Sequence, residues 1–345
     1  MNRPIVPLLF GISILMLVCF VLNLLLGSVS IPFQAICQML LGDETQPVVW
    51  QNILWKSRVP QALTALVAGA ALSVSGLQMQ TVFRNPLADP SVLGVSAGAS
   101  LGVAFVVLLS GSIGGVALSR LGYLGEIALS IAAVIGSLSV LALIVFVSTK
   151  VKGNVTLLII GVMIGYVANA IIGVLKFFSV EEDIRAYVIW GLGSFSRVSG
   201  DQMLLFVTLM AILIPLSFLL IKTMNLLLLG NNYARNLGLN IHRARLWVIL
   251  SAGILVAIVT AYCGPIMFIG LAVPHLARAI FRSSDHRVLM PATVLTGATL
   301  ALACNLIARM PGFEGALPLN SVTALIGAPV VASVLFRKRK ETMNE

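Results

Sequence analysis

Residues 246–281 read LWVILSAGILVAIVTAYCGPIMFIGLAVPHLARAIF, a run of 36 with one basic side chain, Arg278, and no acidic one. A bilayer core of roughly 30 Å is crossed by about 20 apolar residues, so the run is too long for one crossing. Gly264-Pro265 stands near its middle. Proline lacks an N–H and clashes with the preceding helical turn. The run therefore reads as two spans, 246–262 and 265–281, with a single kinked helix as the alternative.

Eight more runs of the same kind lie outside it: 5–27, 60–81, 92–110, 127–148, 155–178, 202–222, 289–308 and 319–336. The first is too long for the apolar stretch of a signal peptide and is read as a retained span. Ten spans predict an all-α polytopic membrane protein, one transmembrane domain over residues 1–345. Composition agrees: 59% of the 345 residues are hydrophobic and 10% charged, and mean hydropathy is +1.05. Soluble domains carry about 25% charged residues, and disordered chains are poor in hydrophobes, so both classes are excluded.

The net charge of +10 would suggest nucleic acid in a soluble protein, so its distribution decides. Ten spans put both termini on one side. That side collects fifteen basic residues: Arg3, Arg84, Lys150, Lys152, Lys222, Arg235, Arg243, Arg245, Arg278, Arg282, Arg287 and Arg337 to Lys340. Four acidic residues join them, Asp89, Asp285, Glu341 and Glu345. The other side holds seven basic residues (Lys56, Arg58, Arg120, Lys176, Arg185, Arg197, Arg309) and eight acidic ones (Asp43, Glu44, Glu126, Glu181, Glu182, Asp183, Asp201, Glu314). The positive-inside rule then places both termini in the cytoplasm, and no nucleic-acid partner is required.

Several chemistries lack their motifs. No G-x-x-x-x-G-K-[ST] occurs, so the chain has no P-loop for ATP, and neither G-x-S-x-G nor H-E-x-x-H is present. The chain is read as a non-enzyme without cofactor. Cys19, Cys37, Cys263 and Cys304 are scattered, and His242, His275 and His286 lie far apart, which gives no metal-ligand spacing. Ionisable residues stay near span ends, which counts against ion-coupled secondary transport, where such groups bind the coupling ion. Five spans per half would form an inverted repeat. One echo, Phe83-Arg84 with Ala97 to Leu101 against Phe281-Arg282 with Thr296 to Leu300, flanks turns on the same side and is read as chance.

A transporter without an engine needs a docking point for one. The loop 223–245 offers two helix-sized pieces, each closed by glycine, at Gly230 and Gly238. They would present Leu226, Leu229, Tyr233 and Leu237 to a partner; a loop lying on the membrane surface is the alternative.

The pattern L-G-x-x-x-A-x-x-L-G from Leu229 to Gly238 resembles the loop of the iron-siderophore, haem and cobalamin permeases of ABC importers (FecCD-type). Further pieces follow in family order: Arg58-Val59-Pro60, Ser75-Gly76-Leu77-Gln78-Met79-Gln80, Arg84-Asn85-Pro86-Leu87-Ala88-Asp89-Pro90, Gly264-Pro265, Pro274-His275 and Gly327-Ala328-Pro329. The resemblance implies a type II ABC importer permease fold with ten transmembrane helices per subunit. It implies a homodimer in the inner membrane, two cytoplasmic ATP-binding-cassette subunits and an extracytoplasmic substrate-binding protein. The cargo it implies is an iron(III)-siderophore-type chelate, with cobalamin or haem as alternatives. An ion-coupled carrier or a membrane scaffold is the rival from another class.

By the same resemblance the ATPase-coupling loop comprises Leu226, Leu229, Gly230, Asn231, Tyr233, Ala234, Arg235, Leu237 and Gly238. Arg58 and Arg309 dock the binding protein through bidentate pairs with carboxylates; interfacial anchoring by snorkelling is the plainer role. Asn154, Val155 and Thr156 form a cytoplasmic gate, or serve as helix caps. Asn85, Pro86, Asp89 and Pro90 read as a chain reversal. The chain departs from the family at Asn231, where a Glu is frequent, and at Ala316-Leu317-Pro318-Leu319-Asn320, where Glu-Leu-Pro-x-Gly is frequent.

Overall fold

The structure, a computed structural model, describes residues 5–27, 29–42, 45–114, 123–151, 153–198, 200–310 and 317–343. Arg3, Asp43, Glu44, Arg120, Lys152, Glu314, Ala316 and Glu345, cited above, lie outside the described residues. The elements are all helical. They run α1 (Ile5–Leu25), α2 (Phe33–Leu40), α3 (Val48–Ile53), a π turn Leu54–Arg58 continuous with α4 (Val59–Phe83), and a 3-10 turn Pro90–Leu93. Then follow α5 (Val95–Gly114), α6 (Tyr123–Lys150), α7 (Asn154–Phe177), α8 (Glu181–Gly191) and α9 (Gly200–Phe218). The chain closes with α10 (Ile221–Leu228), α11 (Asn231–Asn236), α12 (Ile241–Cys263), α13 (Ile269–Phe281), α14 (His286–Ala308) and α15 (Leu319–Met343).

Among the described residues six helices are long and apolar enough to cross a bilayer, α9 and α10 pass the same test together as a pair bent by 46°, and α5, α13 and α15 carry shorter apolar stretches. Each of the ten apolar runs thus finds a helix. The break in residues 246–281 is real: α12 stops at Cys263, Gly264 takes φ +76° and α13 starts at Ile269. Gly264 also fits a tight place, since a Cβ there would stand 2.6 Å from the Trp190 carbonyl oxygen. Three short helices lie outside both the apolar runs and the loop 223–245: α2, α3 and α8. In α8, Glu181, Glu182 and Asp183 occupy the first turn, where the helix dipole favours negative charge.

The chain divides into two compact units. The first takes residues 1–74, 194–215 and 268–345; the second takes 75–193 and 216–267. In the first, α1 packs on α14, and α13 packs on α14 and α15. Asn23 joins α1 to α14, donating to the Leu302 carbonyl at 3.0 Å and accepting from Asn305 Nδ2 at 2.8 Å. In the second, α5 is central, packed on α6, α7, α8 and α12. Its Ala99, Val103, Val107 and Leu108 are buried against Ala133 of α6, Ile172 of α7 and Tyr187 and Trp190 of α8. The α5–α6 backbones meet at glycine: a Cβ on Gly98 would stand 2.6 Å from the Gly136 carbonyl oxygen. Small residues allow such approach between membrane helices.

Candidate functional site

The segment between α9 and α12 forms two short helices at a sharp turn. α10 stops because Gly230 takes φ +107°, a conformation that L side chains rarely adopt. α11 ends in a Schellman closure: Leu239 N–H donates to the Ala234 carbonyl at 3.0 Å and Gly238 N–H to that of Arg235 at 2.9 Å, with Gly238 at φ +83°. Asn240 then caps α12, its Oδ1 accepting from Arg243 N–H at 3.1 Å. Met224, Leu227 and Ala234 face inward and are buried. Leu229 (57% exposed), Tyr233 (68%) and Leu237 (57%) face outward, together with Leu228. Asn231, Arg235 and Gly238 are exposed beside them, and Gly230 is half-buried. Leu226, expected on the outer face, is half-buried, and Leu228 takes its place. The result is an apolar patch on a hydrogen-bonded turn, edged by polar groups.

Arg84 was absent from the sequence-derived site and belongs to it. Its Nη2 donates to the Leu227 carbonyl at 2.8 Å and to Asn231 Oδ1 at 3.2 Å. Just after it, Asn85 Oδ1 accepts from Leu87 N–H at 2.9 Å and Asp89 Oδ1 from Ser91 N–H at 2.8 Å, so both side chains shape the reversal. Burial raises the Asp89 carboxyl above the usual carboxylate range, opposed by the Ser91 hydrogen bonds.

In the first unit, Arg58 closes the π turn before α4 and is only 1% exposed. Its Nη1 donates to the Leu24 carbonyl at 2.6 Å and the Leu25 carbonyl at 2.8 Å, and its Nη2 donates to Val29 O. These are the orphan carbonyls at and just past the end of α1. Arg58 is thus a cap for α1, turned inward. Arg309 follows α14 and is half-buried, with Nη1 unpartnered. A Cβ on Gly27 would stand 3.1 Å from Arg58 Nη2 and 3.4 Å from Arg309 Nη2, so the two guanidinium groups flank one glycine. Burial first, and the Arg58 charge second, lower the Arg309 pKa. Beside Arg309 lies a cavity of about 270 Å³ lined by Ser57, Gln61, Ser194, Phe195, Ser196, Asn305, Ala308, Leu317 and Leu319.

Asn154 is the first residue of α7, and Val155 (71% exposed) and Thr156 point outward. The N-cap position falls on Gly153, so neither Asn154 nor Thr156 is the cap. Among the described residues no three His, Cys, Asp or Glu side chains gather as metal ligands.

Apolar helices, several of them long enough to cross a bilayer, with a structured turn between two of them, give the described residues the build of a polytopic membrane protein. The profile of the FecCD transport family matches residues 15–337, and the chain belongs to that family. It is 35% identical over 331 residues to the vitamin B12 import system permease protein BtuC of Klebsiella pneumoniae, covering 96% of this chain and 94% of that protein. It is 34% identical over 344 residues to the hemin transport system permease protein HmuU of Yersinia pestis, covering 99% of each. A solved structure described as a metal-chelate type ABC transporter in an inward-facing conformation superposes with a TM-score of 0.81 at 30% identity, covering 95% of this chain and 98% of that one.

Proposed function

We propose that this chain is the permease subunit of an ABC importer that carries an iron(III)-siderophore-type chelate into the cytoplasm. Two copies form the path, and a separate ATPase powers it. The observation that carries the reading is the exposed apolar patch of Leu228, Leu229, Tyr233 and Leu237 on a turn held by Gly230 and Gly238. Such a patch on a preformed surface suits a protein partner. One ATPase subunit docks on the turn of each copy from the cytoplasmic side of the inner membrane, where both termini also lie. ATP-driven closure moves α10 and α11 and switches access across the membrane.

Arg309, half-buried at the end of α14, meets a carboxylate of the extracytoplasmic binding protein with the exposed part of its side chain. Arg58 adds field strength and holds the end of α1. Asn154, Val155 and Thr156 close the inner mouth. Cobalamin or haem is the second reading of the cargo, favoured by the names of the two relatives above.

The test is uptake into vesicles holding the chain and its ATPase. Uptake that needs ATP and persists after the ion gradient collapses supports the importer and removes an ion-coupled carrier or a scaffold. Deleting residues 225–237 abolishes uptake while insertion stays normal. Uptake that survives the deletion overturns the assignment of the turn. Offering a ferric hydroxamate, haem and cyanocobalamin separately identifies the cargo.

A further inference from the structure

Arg84 closes α4 in the left-handed region, at φ +49° directly after Phe83, a conformation that an L side chain enters at a cost. From there its guanidinium reaches both short helices. Leu227, which accepts at 2.8 Å, lies in the last turn of α10, and Asn231, which accepts at 3.2 Å, opens α11. Leu227 O also accepts from Gly230 N–H, at 3.4 Å, so Arg84 adds a shorter, charged donor to a carbonyl at the loosening end of α10. Gly230 sits beneath the bridge: a Cβ there would stand 3.9 Å from Arg84 Nη2. The same half of α4 is fastened to α12, with Ser75 Oγ donating to the Ala252 carbonyl at 2.8 Å and Gln78 Nε2 to Ser251 Oγ at 3.0 Å. One cation therefore links the turn to a helix that is itself pinned within the second unit. Both acceptors are neutral, so the bonds are charge-assisted without being an ion pair.

We infer that Arg84 is a positioning residue that transmits movement of the α10–α11 turn to α4 and so sets how much transport each ATP yields. This rests on reading the turn as the ATPase contact. Arginine suits the task because one terminal nitrogen, Nη2, carries two N–H groups held in a fixed plane and serves both acceptors, whereas lysine ends in a shorter, freely rotating ammonium. The inference concerns coupling, and docking itself belongs to Leu229, Tyr233 and Leu237.

The experiment uses the full importer in proteoliposomes, with ATPase and binding protein present. Cyanocobalamin, haem and a ferric hydroxamate complex are offered separately, and the one that the wild type takes up becomes the probe. Phosphate release, probe uptake and co-purification of the ATPase are measured together. Arg84→Ala is expected to lower molecules moved per ATP by about fivefold, the scale of coupling changes seen for single residues, with co-purification and hydrolysis retained. Arg84→Lys, which keeps the charge but shortens the reach and loses the planar geometry, should give an intermediate ratio. Asn231→Asp, which turns the bond into an ion pair, should raise the ratio, and lose that gain when combined with Arg84→Ala. An unchanged ratio in both Arg84 variants overturns the inference. A parallel fall of co-purification, hydrolysis and uptake at constant ratio also overturns it, leaving Arg84 a structural support. Failure of the wild type to retain any ATPase would instead sink the reading of the turn, and this role with it.

Discussion

Asn305 donates from Nδ2 to Asn23 Oδ1 at 2.8 Å, deep between α14 and α1, and Asn23 in turn donates to the Cys19 carbonyl at 2.8 Å and the Leu302 carbonyl at 3.0 Å. Polar links of this kind hold membrane helices together where lipid competes equally for apolar faces. Asn305→Ala should lower stability by about 1 kcal/mol, read as a reduced unfolding temperature in detergent. Replacing both residues with Leu should recover part of the loss, because no buried acceptor is then left unpaired. A pair of losses that simply add would show that the two side chains act independently.

The glycines of α6 and α7 should behave in opposite ways. A Cβ on Gly136 would press on the Gly98 carbonyl of α5, while one on Gly173 would meet nothing within 4 Å. Gly136→Ala should cost about 1–3 kcal/mol by overpacking, visible as aggregation in size-exclusion chromatography. Gly173→Ala should be neutral or stabilising, since Ala is the better helix former. Equal behaviour of the two variants would contradict the α5–α6 contact.

Tyr233→Asp and Leu229→Asp should each weaken ATPase co-purification by at least about tenfold, as expected for an aromatic or apolar anchor at an interface. Lys222→Ala, beside the patch in sequence and exposed, serves as the control and should bind normally. Normal binding by the two Asp variants would point to a contact elsewhere.

The two arginines should separate by assay. Arg58 donates to the carbonyls at the end of α1, so Arg58→Ala should lower thermal stability. Arg309→Glu should leave stability nearly intact and weaken binding-protein docking, with the wild-type affinity falling as salt screens the pair. Calorimetry and a binding titration check the two claims; docking unaffected by Arg309→Glu refutes the second.

A pH dependence follows from Asp89. Burial holds its carboxyl above the usual range despite the Ser91 hydrogen bonds, so folding favours the protonated form. Its contribution to stability is fully present below the unfolded pKa of about 3.9 and is lost as pH rises through the folded value. Asp89→Asn keeps an acceptor for Ser91 N–H and removes the charge. It should raise the unfolding temperature at pH 7 and bring no gain at pH 3; a loss at pH 7 would mean that the ionised form is the favoured one.

The spans were legible because about twenty apolar residues in a row suit a bilayer core and little else, and Gly230, Gly238 and Gly264-Pro265 marked their stops by local chemistry alone. α8 stayed hidden because Glu181–Gly191 is short and half polar. The helix leading into α4 begins at Val48, earlier than the apolar run, because Lys56 and Arg58 interrupt the pattern. Leu226, expected outward, is half-buried while Leu228 is exposed, because positions two apart lie on opposite sides of a helix and packing decides which side of a short apolar one is covered. The partners of Arg58 and Arg84 depend on tertiary packing: the Arg84–Leu227 bond spans 143 positions, and no local spacing announces it. One echo read as chance gains a physical basis, since Arg84 and Arg282 both take φ +49° at the ends of their helices, α4 and α13.

The cap on α1 also has a meaning in time. Leu24 and Arg58 are 34 positions apart, so the end of α1 leaves the ribosome while the guanidinium that completes it is still inside the exit tunnel. Until then its last carbonyls must face the wet interface, because an unsatisfied backbone group costs several kcal/mol in hydrocarbon. Arrival of Arg58 removes that restriction and lets the end of α1 settle among its neighbours. A nascent chain stalled while Arg58 is still inside the ribosome should therefore hold the end of α1 loosely, and one stalled after Arg58 has emerged should hold it more closely, a difference that crosslinking from a residue near Leu24 would register during biogenesis.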